Sequence, residues 1–190
     1  MEKLLDKIRR KLKQRNRVVL NDSNLSRAAV VVPLFEKDSQ CHILLTKRTM
    51  KVKHHKGEVS FPGGMADDDD KNLKKTALRE LYEEVGIKEE DIDILGVLDD
   101  IVTMSDFIVT PFVGYFPYPY PFKISKDEVD ELIELPLSVL LDKDKLTKKM
   151  MGYRSKVGLV YIYEYNNHQI WGATAKILKQ FIDLIYCKLS

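Results

Sequence analysis

The stretch FPGGMADDDDKNLKKTALRELYEEVGI, Phe61 to Ile87, decides the reading of this chain. It opens on Pro62-Gly63-Gly64, crosses four consecutive aspartates, Asp67 to Asp70, and ends with Glu80, Glu83 and Glu84 within five residues. On a helical wheel at about 100° per residue, Ala77, Leu78 and Val85 fall within roughly 60° of Leu81. That stripe predicts a helix over 71–85 with one face on a core. Asp70 or a neighbouring aspartate is placed to cap its start, and Gly86 stands where a helix C-terminus favours glycine. Glu80 and Glu84, four apart, lie at the edge of the stripe, with Glu83 next on the same flank. Arg79 is four before Glu83, close enough to pair with it. Carboxylates half-buried beside a core are costly unless compensated. Magnesium or manganese, hard cations that take oxygen ligands, would compensate them. A solvated acidic face paired to nearby lysines is the alternative that the helix alone leaves open. The glycines before it let backbone approach a ligand closely.

Working outward, 190 residues fit one domain with a sizeable core. A net charge of +2 exerts no global pull toward nucleic acid or membrane. Cys41 and Cys187 are far apart and lack metal-type spacing, which is the pattern of a reduced, cytoplasmic protein. No apolar run is long enough to cross a bilayer, and no signal peptide is expected. Residues 1–17 carry eight basic residues and two acids, with Leu4, Leu5, Ile8 and Leu12 at helical spacing. They predict a basic amphipathic helix ahead of a single domain over 18–190. The helix either docks on that domain with a solvated basic face or meets RNA or another anionic surface.

Residues 28–35 (AAVVVPLF) and 41–48 read as strands, the first buried on both faces. Further strands are expected over 91–104, 107–116 and 157–165, a short strand and helical turn over 131–141, and a closing helix over 173–189. YPYPF, 118–122, is a loop, because proline cannot donate to a ladder. Strands and helices interleave without a regular βαβ repeat, so the fold class is α/β, a mixed central sheet with helices on both faces.

From Gly64 onward the stretch resembles the Nudix box, G-x5-E-x7-R-E-U-x-E-E-x-G-U, where U is apolar. Arg79, Glu80, Leu81, Glu83, Glu84, Gly86 and Ile87 match its second half without a gap. In the first half Asp70 stands at the glutamate position, and one extra residue precedes Arg79. Upstream, LLTKRTMKVKHHKGEVSFPGG (44–64) is similar to the signature of coenzyme A pyrophosphatases, L-L-T-x-R-[SA]-x3-R-x3-G-x3-F-P-G-G. Thr49 and Lys53 are mild departures from it.

The resemblance implies a Nudix-type α/β/α sandwich and hydrolysis of the diphosphate of coenzyme A or its thioesters, giving 3′,5′-ADP and 4′-phosphopantetheine. ADP-ribose, a dinucleotide or a nucleoside triphosphate is the alternative substrate. An RNA-binding module with a vestigial box is the rival of another class. Glu80, Glu84 and Glu83 are the implied Mg2+ or Mn2+ ligands. Glu83, positioned by Arg79, is a candidate catalytic group, and Glu128, from a later loop, is a candidate general base. Arg48, Lys53, His55 and Lys56 form a basic cluster suited to substrate phosphates, beside the backbone of Gly63 and Gly64. Tyr115, Phe116, Tyr118, Tyr120 and Phe122 would either stack on the substrate or pack a loop on the sheet. Trp171 is expected in the core. The expected partner is a small molecule, with no nucleic acid or membrane, bound by a monomer or homodimer.

Overall fold

The computed structural model describes residues 1–52, 55–153 and 156–186. Its centre is β1 (Ser26–Lys37). β7 (Phe107–Tyr115) runs parallel to β1 along one edge, with Ser26 opposite Phe107 and Leu34 opposite Tyr115. On the other edge β2 (Gln40–Arg48) pairs antiparallel with the second half of β1, and β4 (Gly63–Met65) with the first half. β3 (Val59–Ser60) and β8 (Val129–Pro136) pair with β2, while β5 (Asp93–Val97) and β6 (Ile101–Val102) pair with β7, all antiparallel. The result is a mixed sheet.

The parity of β1 explains why its apolar run is unbroken. Ala29, Val31 and Phe35 join one buried cluster, with Leu78, Leu81 and Val85 of α2 (Leu73–Val85). Ala28, Val32 and Leu34 join the other, with Ile8 and Leu12 of α1 (Glu2–Lys13) and Leu178 and Phe181 of α4 (Gly172–Tyr186). Successive side chains of a strand point to opposite faces, so a strand with helices on both sides must be apolar at every position. This is the α/β/α arrangement with helices on both faces of a mixed sheet.

Several boundaries move for identifiable reasons. α2 starts at Leu73, not 71, because the Asn72 side chain accepts from the Lys75 amide at 3.1 Å. Asp70 does not cap the helix, because Arg79 holds both its oxygens at 3.0–3.2 Å. At the other end Gly86 is left-handed, with φ 78°, as expected of a helix-ending glycine. The strand expected over 91–104 is a 3-10 turn (Glu89–Asp91) followed by β5 and β6, parted where Asp99 and Asp100 turn inward to arginines. A second sheet was not expected in this form: β9 (Leu146–Tyr153), β10 (Lys156–Tyr165) and β11 (His168–Trp171) pair antiparallel. LTKKMMGY in β9 lacks an alternating pattern, so only its pairing with β10 identifies it as a strand. α3 (Leu137–Leu141) follows β8 as anticipated. Trp171 is half-buried at the end of β11 rather than in the core.

The first helix spans 2–13, shorter than the 1–17 expected. It packs Ile8 and Leu12 into the sheet, and its following basic residues turn to acids of the fold. Arg9 pairs with Asp93, Arg15 with Asp99 and Arg17 with Asp100. No helix among the described residues is long and apolar enough to cross a membrane.

Candidate active site

Four segments meet at one end of the sheet: the C-terminus of β2, β4, the last two turns of α2 and the loop into β8. Backbone hydrogen bonds fix them together. The Lys123 and Ser125 amides donate to the Val85 and Glu84 carbonyls at 3.0 Å, which ties the loop to the end of α2. The Thr49 amide donates to the Glu128 carbonyl at 2.9 Å, which ties β2 to the same loop. The Arg48 amide donates to the Glu58 carbonyl, and the Gly57 amide to the Arg48 carbonyl, closing a hairpin above the site.

Glu84 lies at the bottom, 1 % exposed. Arg48 Nη1 donates to its Oε1 at 3.3 Å, and its Oε2 has no hydrogen-bond partner. Burial pushes the Glu84 carboxyl up to about 8. The neighbouring Glu80 and Glu128 carboxylates raise it further, while Arg48 and the Gly63 backbone act the other way. Glu80 is raised as well, first by burial and then by Glu83 and Glu128, against the pull of Arg79. Glu84 is therefore buried and Glu80 half-buried beside it, at the edge of the core stripe as the helical wheel suggested, and burial favours the neutral form of both. Glu128, singled out from a remote loop, is brought beside both.

Arg79 has a larger role than the single pair expected of it. Its guanidinium donates to Glu80 Oε1 at 2.8 Å, Glu83 Oε2 at 3.1 Å, the Met65 carbonyl at 3.2 Å and both oxygens of Asp70. It also lies 3.2 Å from Asp67. One arginine thus joins Glu80 and Glu83 to Asp67 and Asp70. Asp70 is an arginine partner, and the Arg79 guanidinium holds its carboxyl down at about 2. Glu83 sits at the mouth, 51 % exposed.

The two glycines line the acids. A Cβ on Gly64 would come within 2.5 Å of the Glu80 carboxylate and would push that side chain out of its present position against Arg79. Gly63 is opposite Val30 in the β1 ladder and its backbone reaches Glu84.

The basic cluster divides. Arg48 is not apart from the acids but in contact with Glu84. His55 Nδ1 lies 2.9 Å from Glu58 Oε2 within its own hairpin, and that carboxylate raises the His55 pKa. Lys56 is exposed on the same hairpin. Lys53 lies outside the described residues. The aromatics choose packing over display: Tyr118 stacks on Phe35 at 4.9 Å, Phe116 is fully buried, and the Tyr120 hydroxyl donates to Asp91 at 2.7 Å. Proximity of Arg48 and Glu128 to the acids had no local signal. Both arrive through strand pairing.

Among the described residues no three acids or imidazoles already converge on one point as a metal cage. Glu80 is drawn toward Arg79, and Glu84 toward Arg48.

The NUDIX domain family model matches residues 25–150, well over half of the chain and all of this cluster. The chain is 38% identical over 157 residues to the uncharacterized Nudix hydrolase NudL of Cronobacter sakazakii, covering 83% of this chain and 81% of that one. It is 38% identical over 166 residues to NudL of Photorhabdus laumondii, covering 87% and 88%. Among solved structures, a MutT/nudix family protein from Enterococcus faecalis superposes with a TM-score of 0.52 at 16% identity, covering 91% of this chain and 66% of that one. An Ap4A hydrolase from C. elegans superposes with 0.51 at 19%, covering 60% and 82%. These distant likenesses speak to the fold, and the sequence matches carry the family. A buried Glu84 beside a half-buried Glu80, each met by its own arginine, lined by glycine and lying within the matched span, leaves one assignment: the chain belongs to the Nudix hydrolase family.

Proposed function

We propose that this Nudix hydrolase cleaves the diphosphate bond of coenzyme A or its thioesters, releasing 3′,5′-ADP and (acyl-)4′-phosphopantetheine. One observation carries the subgroup reading. Within the 44–64 segment, similar to the coenzyme A pyrophosphatase signature, Arg48 contacts Glu84 and Gly64 lies against Glu80. An arginine fork there suits a phosphate of a substrate whose diphosphate lies over the acids.

The residues fit a divalent cation. A buried carboxylate oxygen without a partner, among like charges, is costly until a cation meets it. Glu80 and Glu84 would hold it, with Glu83 at the mouth. When bound, such an ion polarises phosphoryl oxygens and makes water a better nucleophile. The chain's own part is placement. Arg79 fixes the directions of Glu80 and Glu83. Gly64 leaves room for the Glu80 carboxylate. Glu128, on a loop stitched to α2, would accept the proton of the attacking water. Arg48 and Lys56 are the candidate phosphate contacts.

The test is a panel of coenzyme A, acyl-coenzyme A, 3′-dephospho-coenzyme A, ADP-ribose and nucleoside triphosphates, each with magnesium or manganese, the products identified by mass spectrometry. Coenzyme A substrates should exceed ADP-ribose in kcat/KM by roughly tenfold or more, the worth of one extra charged contact. A preference for ADP-ribose would sink the subgroup assignment.

A further inference from the structure

We infer that Arg48 is a placeholder cation: it occupies the Glu84 carboxylate in the metal-free protein and must leave it when a divalent ion enters. The inference rests on the metal reading above and concerns how the site is kept folded before it is loaded.

Glu84 cannot turn away from its burial. It sits on α2 with Leu81 and Val85 in the core beside it, and the loop bearing Glu128 closes over its own backbone. Its only side-chain partner among the described residues is Arg48, through a single contact of 3.3 Å. Charge-assisted nitrogen–oxygen bonds run nearer 2.7–2.9 Å, and arginine pairs with carboxylates best through two parallel bonds. This contact is long and single. The other oxygen of Glu84 is left bare in the interior. Arg48 is 23 % exposed, so part of its guanidinium keeps contact with solvent. Arg79 shows what a committed arginine looks like in the same site, with several acids and a carbonyl on one fork.

A guanidinium beside Glu84 and a divalent ion on Glu84 would be like charges in a confined, part-buried space. Each therefore lowers the affinity of the carboxylate for the other, reciprocally. Beyond that one long contact no side-chain hydrogen bond holds the Arg48 guanidinium among the described residues, while its backbone is pinned through Glu58 and Gly57, so the side chain can swing without the strand moving. Displaced from Glu84, its fork is free for a substrate phosphate. Metal entry and substrate capture would then be ordered by one side chain.

The experiment measures Mn2+ binding by calorimetry and melting temperature with and without Mn2+, no substrate present. The proteins are wild type, Arg48→Ala, Arg48→Met and Glu84→Gln. Competition predicts that both Arg48 variants melt lower without metal yet bind Mn2+ at least about fivefold tighter, the lower end of couplings between mutually exclusive ligands. Their melting point should also rise more on adding Mn2+. A purely structural Arg48 would lower stability and leave Mn2+ affinity unchanged or weaker, which overturns the inference. The methionine variant keeps the apolar stem in place should alanine fail to fold. If Glu84→Gln binds Mn2+ as well as wild type, the metal reading itself falls, and this inference with it. If Glu84→Gln loses Mn2+ and the Arg48 variants do not gain it, only the placeholder role is lost.

Discussion

Asp100 and Glu84 are both buried acids, 5 % and 1 % exposed, and they are treated in opposite ways. Around Asp100 the fold supplies everything a carboxylate accepts. Arg17 and Thr110 donate to one oxygen, the Leu20 amide donates to the other at 3.0 Å, and Arg27 lies 3.7 Å from it. Around Glu84 it supplies one long arginine contact, the nearby Gly63 backbone and two further carboxylates, and one oxygen stays without a hydrogen-bond partner. Thermodynamically the first is a finished site and the second an open one. A buried charge with all its partners joins elements together, here the segment after α1, β1 and β7 to the turn between β5 and β6. A buried charge without them is kept only where something else completes it.

The sharpest way to break this comparison is to neutralise each acid. Glu84→Gln should reduce kcat by at least about 100-fold, on the scale of losing a main electrostatic group of a site. It should leave the metal-free protein as stable or more stable, by up to about 1 kcal/mol, since a carboxyl that burial already drives toward its neutral form is replaced by a neutral amide of the same shape. Steady-state rates and urea unfolding in the presence of a chelator check both halves. Near-normal rates at saturating magnesium would refute the ligand assignment.

Asp100→Asn should do the reverse. It should lower stability by about 2–3 kcal/mol, short of the full penalty for an orphaned buried charge, because Arg17 and Arg27 stay partly solvated. Rates per folded molecule should fall far less than in Glu84→Gln, because the partners of Asp100 are Arg17, Leu20, Arg27 and Thr110 and none of these is an acid or arginine of the cluster. Urea unfolding followed with activity of the native fraction separates these. Should stability hold, Asp100 is not the joint described here.

The smallest expected effect is at Asp70, between the two cases: paired like Asp100, yet adjacent to the acids. Arg79 holds its carboxyl at about 2, below the ordinary 3.8. Its folded pKa is depressed, so its contribution is present above the ordinary value and is lost as pH falls toward 2. The pair is part-shielded, Asp70 9 % and Arg79 28 % exposed, and Arg79 keeps its other acidic partners when Asp70 is neutralised, so about 1 kcal/mol is at stake. Asp70→Asn should therefore be less stable than wild type near pH 6 and converge with it between about pH 4 and 2. Thermal melts across that range decide it; a difference independent of pH would mean that Asp70 acts through shape rather than charge.

The sequence by itself determined the elements whose signal is local. Heptad-like spacing of Ala77, Leu78, Leu81 and Val85 set the buried face of α2 and, through it, the placement of Glu80 and Glu84 at the edge of a core. Unbroken apolarity over 28–35 implied a strand covered on both sides, and the prolines of 118–122 implied a loop. Such features follow from periodicities of 3.6 and 2 and from the missing amide of proline, all readable within a dozen residues. Only the tertiary structure decided which remote groups share a space with those acids. The arrival of Arg48 and Glu128 beside Glu84, the capture of Asp70 by Arg79 and of Asp100 by Arg17 and Arg27, and the pairing of β9 with β10 depend on strand order and on loops crossing far along the chain. Those contacts cost chain entropy that is repaid by the whole sheet at once, so no short stretch of residues carries their signature.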